Sequence, residues 1–234
     1  MLGPVEAIGS HGPINVGGPQ QRRILAALLA EPGIVLTYER LTEVLWPDDN
    51  EPDNARRSSI SYVSRLRSAL GEDVVHTSDA GYLIDARGVS VDADRFVGLL
   101  TASRNLDPTR AVEVLEEALS LWRGPVFGDL TGEWWARPFA ARLDELRLVA
   151  FAERIDALAS IGWSGRALAE VTALVHAHPL REQFVERAMR GLHAVGQTGD
   201  ARAGVPDVPE RPRGADRTRS FEQADRTRAF DRLR

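Results

Sequence analysis

The sequence predicts a mainly α protein, with small β elements confined to residues 1–90 and an all-helical stretch after them. Three observations predict this. Short β-like pieces bounded by turn residues alternate with helical segments up to residue 90. From Val91 onward apolar residues recur only at helical spacing. Start and stop signals, Gly18-Pro19, Gly71, Asp107-Pro108 and Pro179, divide the chain into segments of ordinary helix length.

The elements follow in order. Residues 5–8 and 14–16 read as strands around the turn-prone Gly12-Pro13. Pro19 suits a first helical position, and the helix runs to Ala30 before Pro32-Gly33 stops it. Residues 35–36 are extended. Thr37 is the expected N-cap of a helix over 38–46, with Leu41, Val44 and Leu45 on one face and Pro47 ending it. Residues 47–52 form an acidic turn. Asp53 or Asn54 then caps a third helix to Leu70, stopped by Gly71. Its inward stripe is read as Ile60, Val63, Leu66 and Leu70. Strands over 74–78 and 82–86 flank the turn Asp79-Ala80-Gly81. The first ninety positions therefore read β-β-α-β-α-α-β-β.

Helices are then expected over 96–103, from Asp107-Pro108 to about Trp122, over 133–160, 164–176 and 181–195. The long one turns Leu143, Leu146, Val149, Ile155 and Leu158 inward. Helices joined by short loops suggest a tetratricopeptide-like array, although a strict 34-residue repeat is weak. Trp46, Trp122, Trp134 and Trp135 read as packing residues, Arg123 as a local ion-pair partner, and Arg142, Asp144, Glu145 and Arg147 as a solvated helix face.

Composition excludes several chemistries. The 234 residues carry 29 basic against 34 acidic side chains, every basic one being Arg. Without Cys there are no disulfides, thiolate metal sites or cysteine nucleophiles. Without Lys there is neither a Walker A loop nor a Schiff-base site. His176 and His178 are two apart beside Pro179 and read as a helix end rather than a metal pair. No catalytic motif is present, so no enzyme activity, cofactor or metal is expected. The longest apolar run, residues 24–30, is far short of the ~20 residues needed to span a bilayer. With no leader-like start, a cytoplasmic, nucleoid-associated protein is expected.

The local exception to the acidic balance is residues 53–70, with four Arg and one acid. Their outward face presents Arg57, Ser58, Ser61, Tyr62, Arg65 and Ser68, with Arg56 and Arg67 flanking. Forked guanidinium donors fit phosphate and the guanine edge, and hydroxyls fit phosphate or base edges. A solvated surface helix would show the same face. The helix order before a β-hairpin favours a winged-helix reader of double-stranded DNA.

Motifs along residues 2–201 carry a resemblance: Leu2-Gly3-Pro4-Val5-Glu6, Gly17-Gly18-Pro19-Gln20-Gln21-Arg22, the helix end Leu41…Leu45-Trp46, Tyr62-Val63-Ser64-Arg65-Leu66-Arg67, Gly81-Tyr82, Ala118-Leu119-Ser120-Leu121-Trp122-Arg123-Gly124-Pro125, Arg142-Leu143-Asp144-Glu145-Leu146-Arg147 and His178-Pro179-Leu180-Arg181-Glu182. In this order and spacing the chain resembles SARP-type antibiotic regulatory proteins, actinobacterial transcription activators. The resemblance implies an OmpR-type winged helix at 1–90 and a tetratricopeptide-like bacterial transcriptional activator domain at 91–201. It makes Arg57 and Arg67 phosphate contacts and Tyr62 and Arg65 groove-facing. It places hairpin residues Thr77, Ser78 and Tyr82 toward the neighbouring minor groove. It puts the turn Pro47, Asp48, Asp49, Asn50, Glu51 and Pro52 where the fold touches RNA polymerase. It further implies binding to direct repeats near promoters, as a homodimer on DNA, and control of a secondary-metabolite cluster.

The sequence departs from the family in three places. The wing tip carries Asp79 and no Arg, and Leu83 follows Gly-Tyr where Arg is frequent. The family has a few residues more ahead of Leu2. After about residue 201 the register dissolves into an Arg- and Pro-rich tail over 202–234, expected to be disordered or the product of a shifted reading frame that truncates the second domain. These departures leave a second expectation: a protein-interaction module or truncated remnant without productive DNA binding.

Overall fold

The structure is a computed structural model that describes residues 1–47, 51–85, 87, 89–162 and 164–196. Asp48, Asp49 and Asn50 of the acidic turn, and the tail after residue 196, lie outside the described residues.

The element order of the first part is the predicted one. Strands β1 (Ala7–Gly9) and β2 (Gly12–Ile14) form a two-stranded antiparallel sheet. Gly12 and Pro13 lie within β2, so the turn is Ser10-His11 and both strands are displaced from the expected positions. Helices α1 (Pro19–Ala30), α2 (Tyr38–Leu45) and α3 (Ala55–Leu70) follow, with β3 (Leu36–Thr37) before α2. Thr37 caps α2 as expected, its hydroxyl accepting from the Arg40 N–H. The hairpin β4 (Val75–Ser78) and β5 (Gly81–Ile84) joins β3 in a three-stranded antiparallel sheet of order β3-β5-β4. Gly81 belongs to the strand and not to the turn: it pairs with both Thr37 and Ser78.

The second part is helical: α4 (Asp92–Ser103), α5 (Pro108–Ser120), a 3-10 turn (Gly128–Gly132), α6 (Arg137–Ser160), α7 (Gly165–Ala177) and α8 (Glu182–Ala194). Asp107 caps α5 through both the Thr109 and Arg110 N–H groups. Asp107→Ala should therefore cost ~1 kcal/mol of stability, read as a lower unfolding midpoint in urea at unchanged slope.

The chain divides into two compact units, Met1–Val171 and Thr172–Arg234. In the first, one apolar core runs from Met1 through the winged elements and α4 and α5 to Ala150 in α6. The winged elements and α4–α6 thus share one apolar core. The chain start shows why. The Arg123 N–H donates to the Leu2 carbonyl and the Phe127 N–H to the Met1 carbonyl. The Arg123 guanidinium pairs with Glu6, so its ion pair is long-range rather than local. Phe127 holds a left-handed backbone, φ 59°, with its ring fully buried against Phe139 and Trp135.

The tryptophans are not all core. Trp122 and Trp135 are buried, whereas Trp134 is 37% exposed with the Arg40 guanidinium 3.7 Å above its ring. Nor is the α6 face around Arg147 simply solvated. Arg147 lies over the Trp122 ring, and burial lowers its pKa while raising that of Asp144. Arg154, which pattern reading missed, is buried and bridges Glu116 and Glu170. A helix packed on several sides hides its polar residues from a one-face template.

In the second unit, Leu174, Val175, Phe184 and Ala188 are buried. The His176 ring nitrogen sits 2.8 Å from the Thr172 carbonyl, near the end of α7, and the His178 ring lies 6.1 Å from that of Phe184. Met189 is 47% exposed, and Val185 and Leu192 are partly exposed.

Candidate nucleic-acid interface

Helix α3 buries Ala55, Ser59, Val63 and Leu66, a stripe rotated from the expected one. Ile60, expected inside, is 48% exposed, and Leu70 is only partly buried. Ser59 takes the inner position because its hydroxyl donates to the Ala55 carbonyl at 2.9 Å, which satisfies it without water. Spacing alone fits either stripe, and the larger residue was the natural but wrong choice.

The outer side is polar and open. Arg56, Arg57, Ser61, Ser64, Arg65 and Ser68 are exposed, and Ser58 and Tyr62 are partly buried. The guanidinium groups of Arg57 and Arg65 make no hydrogen bond or ion pair among the described residues. Their five-donor forks therefore face solvent unengaged.

Arg67 is placed differently. Its Nε–H donates to the Val75 carbonyl at 2.7 Å, and Nη2 donates to the Thr77 hydroxyl at 2.6 Å. It joins the end of α3 to β4. The guanidinium also lies 5.5 Å from the Tyr82 ring centroid. Tyr82 is a correction: only 4% exposed, it stands inside the fold and not on the hairpin surface. Its ring meets Tyr38 edge-on at 5.5 Å, and Arg56 covers Tyr38 at 5.2 Å. Burial pushes the Tyr82 phenol up from its ordinary value, with Tyr38 adding to the shift and Arg67 opposing it. Two α3 arginines thus bracket a tyrosine pair that joins the hairpin to the start of α2. The sequence hinted at this only through two tyrosines 44 positions apart, with no spacing rule to link them.

At the wing, Thr77 and Asp79 are exposed and Ser78 is partly buried. The turn is fixed by the Tyr38 N–H donating to the Ala80 carbonyl. Of the acidic turn before α3, Glu51 is exposed and Pro47 and Pro52 are partly buried. The Pro52 carbonyl accepts from the Ala55 N–H at 2.8 Å, closing the first turn into α3. Among the described residues no group of three or more His, Asp or Glu could hold a metal ion, and no helix is long and apolar enough to cross a membrane.

A helix pair, a following helix with an exposed arginine face and a three-stranded hairpin sheet define a winged helix, here continued by paired helices. The family described as transcriptional regulatory protein, C terminal, matches residues 15–89, and the bacterial transcriptional activator domain matches residues 91–203. The transcriptional regulator RedD of Streptomyces coelicolor is 34% identical over 212 residues, which cover 86% of this chain and 60% of RedD. The regulatory protein AfsR of the same organism is 35% identical over 215 residues, covering 89% of this chain and 21% of AfsR. The solved structure of Mycobacterium tuberculosis EmbR in complex with a low affinity phosphopeptide superposes with a TM-score of 0.80 at 30% identity, covering 87% of this chain and 56% of that one. The two matched domains and these relatives bear out the resemblance to SARP-type transcriptional regulators. The chain spans 60% of the length of RedD and a smaller share of AfsR.

Proposed function

We propose that this chain is a sequence-specific DNA-binding transcriptional activator, with α3 entering the major groove and the β4–β5 hairpin beside it. The observation that carries this reading is the pair of unengaged guanidinium groups, Arg57 and Arg65, on an exposed face rich in hydroxyls. Arg65 and Tyr62 read base edges, Arg57 and Arg56 hold phosphate, and Ser58 and Ser61 supply hydroxyl contacts. Exposed Ile60 gives the same helix an apolar group for thymine methyls. Thr77 and Ser78 face the adjacent groove. In the same proposal the protein binds direct repeats near promoters as a homodimer, and the turn over 47–52 meets RNA polymerase to activate a secondary-metabolite cluster.

A second reading, a protein-interaction module without productive DNA binding, is favoured by the exposed acid at the wing tip. Asp79 repels phosphate where a wing would touch it. Selection from a randomised duplex pool by the purified chain separates the two. Enrichment of one repeated motif supports the activator. A pool that stays random assigns the chain to the second reading.

A further inference from the structure

We infer that Arg67 is a positioning residue: it sets the wing on the recognition helix through Val75 and Thr77 instead of contacting phosphate. The inference rests on the DNA-binding reading above and corrects the role expected of Arg67 from its motif.

Two adjacent donors of one planar fork meet two acceptors on one strand, at 2.7 and 2.6 Å. A guanidinium held at two points has its orientation fixed, unlike the free forks of Arg57 and Arg65. The Val75 carbonyl lies on buried backbone, whereas the Thr77 hydroxyl is at the exposed edge. Arg67 therefore reaches from inside the fold to the outer rim of the hairpin. Beneath it, the edge-on Tyr82–Tyr38 pair gives the fork an aromatic base, and Tyr38 begins α2. One side chain thus ties the end of α3, the outer strand and, through the tyrosines, the helix before α3. In a winged helix the angle between recognition helix and wing decides whether both reach the duplex together. Losing this tie loosens that angle without removing a phosphate contact.

The test uses the full chain and its selected duplex, with affinity measured over a salt series for Arg67→Ala, Arg67→Lys, Thr77→Val and the double variant Arg67→Lys/Thr77→Val. Lys keeps the charge but cannot serve both acceptors at once. Val keeps the β-branched shape that suits an exposed strand position, so this variant folds even if Arg67→Ala does not. Expected are losses of about two- to tenfold for Arg67→Lys and for Thr77→Val. The double variant should be no worse than Arg67→Lys alone, and the slope of log affinity against log salt should not change. The inference is overturned if Arg67→Lys binds like wild type, Arg67→Ala lowers the slope by about 0.9, and the Thr77 loss adds independently. If the wild-type chain itself shows no salt-dependent binding, the DNA-binding reading fails, and this inference falls with it.

Discussion

Gly81→Ala is expected to detach the wing and destabilise the protein by ~3 kcal/mol or more. A Cβ at Gly81 would lie 2.1 Å from the Leu36 carbonyl oxygen and 2.8 Å from the Thr37 Cα. Both are backbone atoms, so no side chain can rotate away. The β3–β5 pairing must open, and the Tyr38–Tyr82 contact across it opens too. Overpacking in cores typically costs ~1–3 kcal/mol, and a clash between two backbones belongs at the top of that range or above it. For a chain of this size ~3 kcal/mol lowers the thermal midpoint by roughly 6–12 °C. Gly98→Ala is the control. Gly98 lies exposed within α4, nothing stands within 4 Å of its would-be Cβ, and Ala there should stabilise by roughly 0.5–1 kcal/mol. Thermal melts of the two variants beside wild type decide the matter. A Gly81→Ala midpoint equal to wild type would mean that β3 does not approach β5 this closely.

Arg65→Ala should cost ~1–3 kcal/mol on the selected duplex and almost nothing on a scrambled one, because a base contact discriminates and a phosphate contact does not. Arg57→Ala should weaken both duplexes alike and lower the salt slope by about 0.9. Neither guanidinium has a partner within the described fold. Removing either therefore leaves no buried group stranded, and stability should stay within about 0.5 kcal/mol of wild type. Competition binding with both duplexes, backed by urea melts, separates the roles. Equal small losses from both substitutions on both duplexes would remove the distinction between base-reading and phosphate-holding arginines.

Much of the fold was legible in the sequence. Thr37 and Asp107 cap the helices they were expected to cap, Gly71 ends α3, and the strand and helix order to Ile84 is the predicted one. These are local signals, fixed within a few residues by hydrogen-bonding chemistry. What was not legible is long-range. The register of β3 against β5 turned Gly81 from turn residue to central strand residue. The Arg123–Glu6 pair spans 117 positions, and no local pattern announces it. Where the winged elements and α4–α6 merge into one core, Met1 and Leu2 meet Phe127 and Arg123 across more than a hundred positions.

The candidate site divides the same way. That α3 carries an arginine and hydroxyl face followed from composition and helical period. Which residues of that helix are free did not. Ser59 took the inner place read for Ile60 because a small hydroxyl can satisfy itself against its own helix. Arg67 and Tyr82 turned inward because β4 and β5 pack against the end of α3. The arginines that matched the motif equally well thus fall into two groups, free forks on the outer face and a fixed fork on the hairpin, and only tertiary packing tells them apart.

The central claim is that the α3 face reads DNA sequence. Fluorescence anisotropy of the purified chain on its own upstream duplex and on a scrambled duplex, across a salt series, tests it most directly. The account predicts tighter binding to the upstream duplex, with log affinity falling steeply and linearly with log salt. Weak, equal binding to both duplexes with a shallow slope would contradict it.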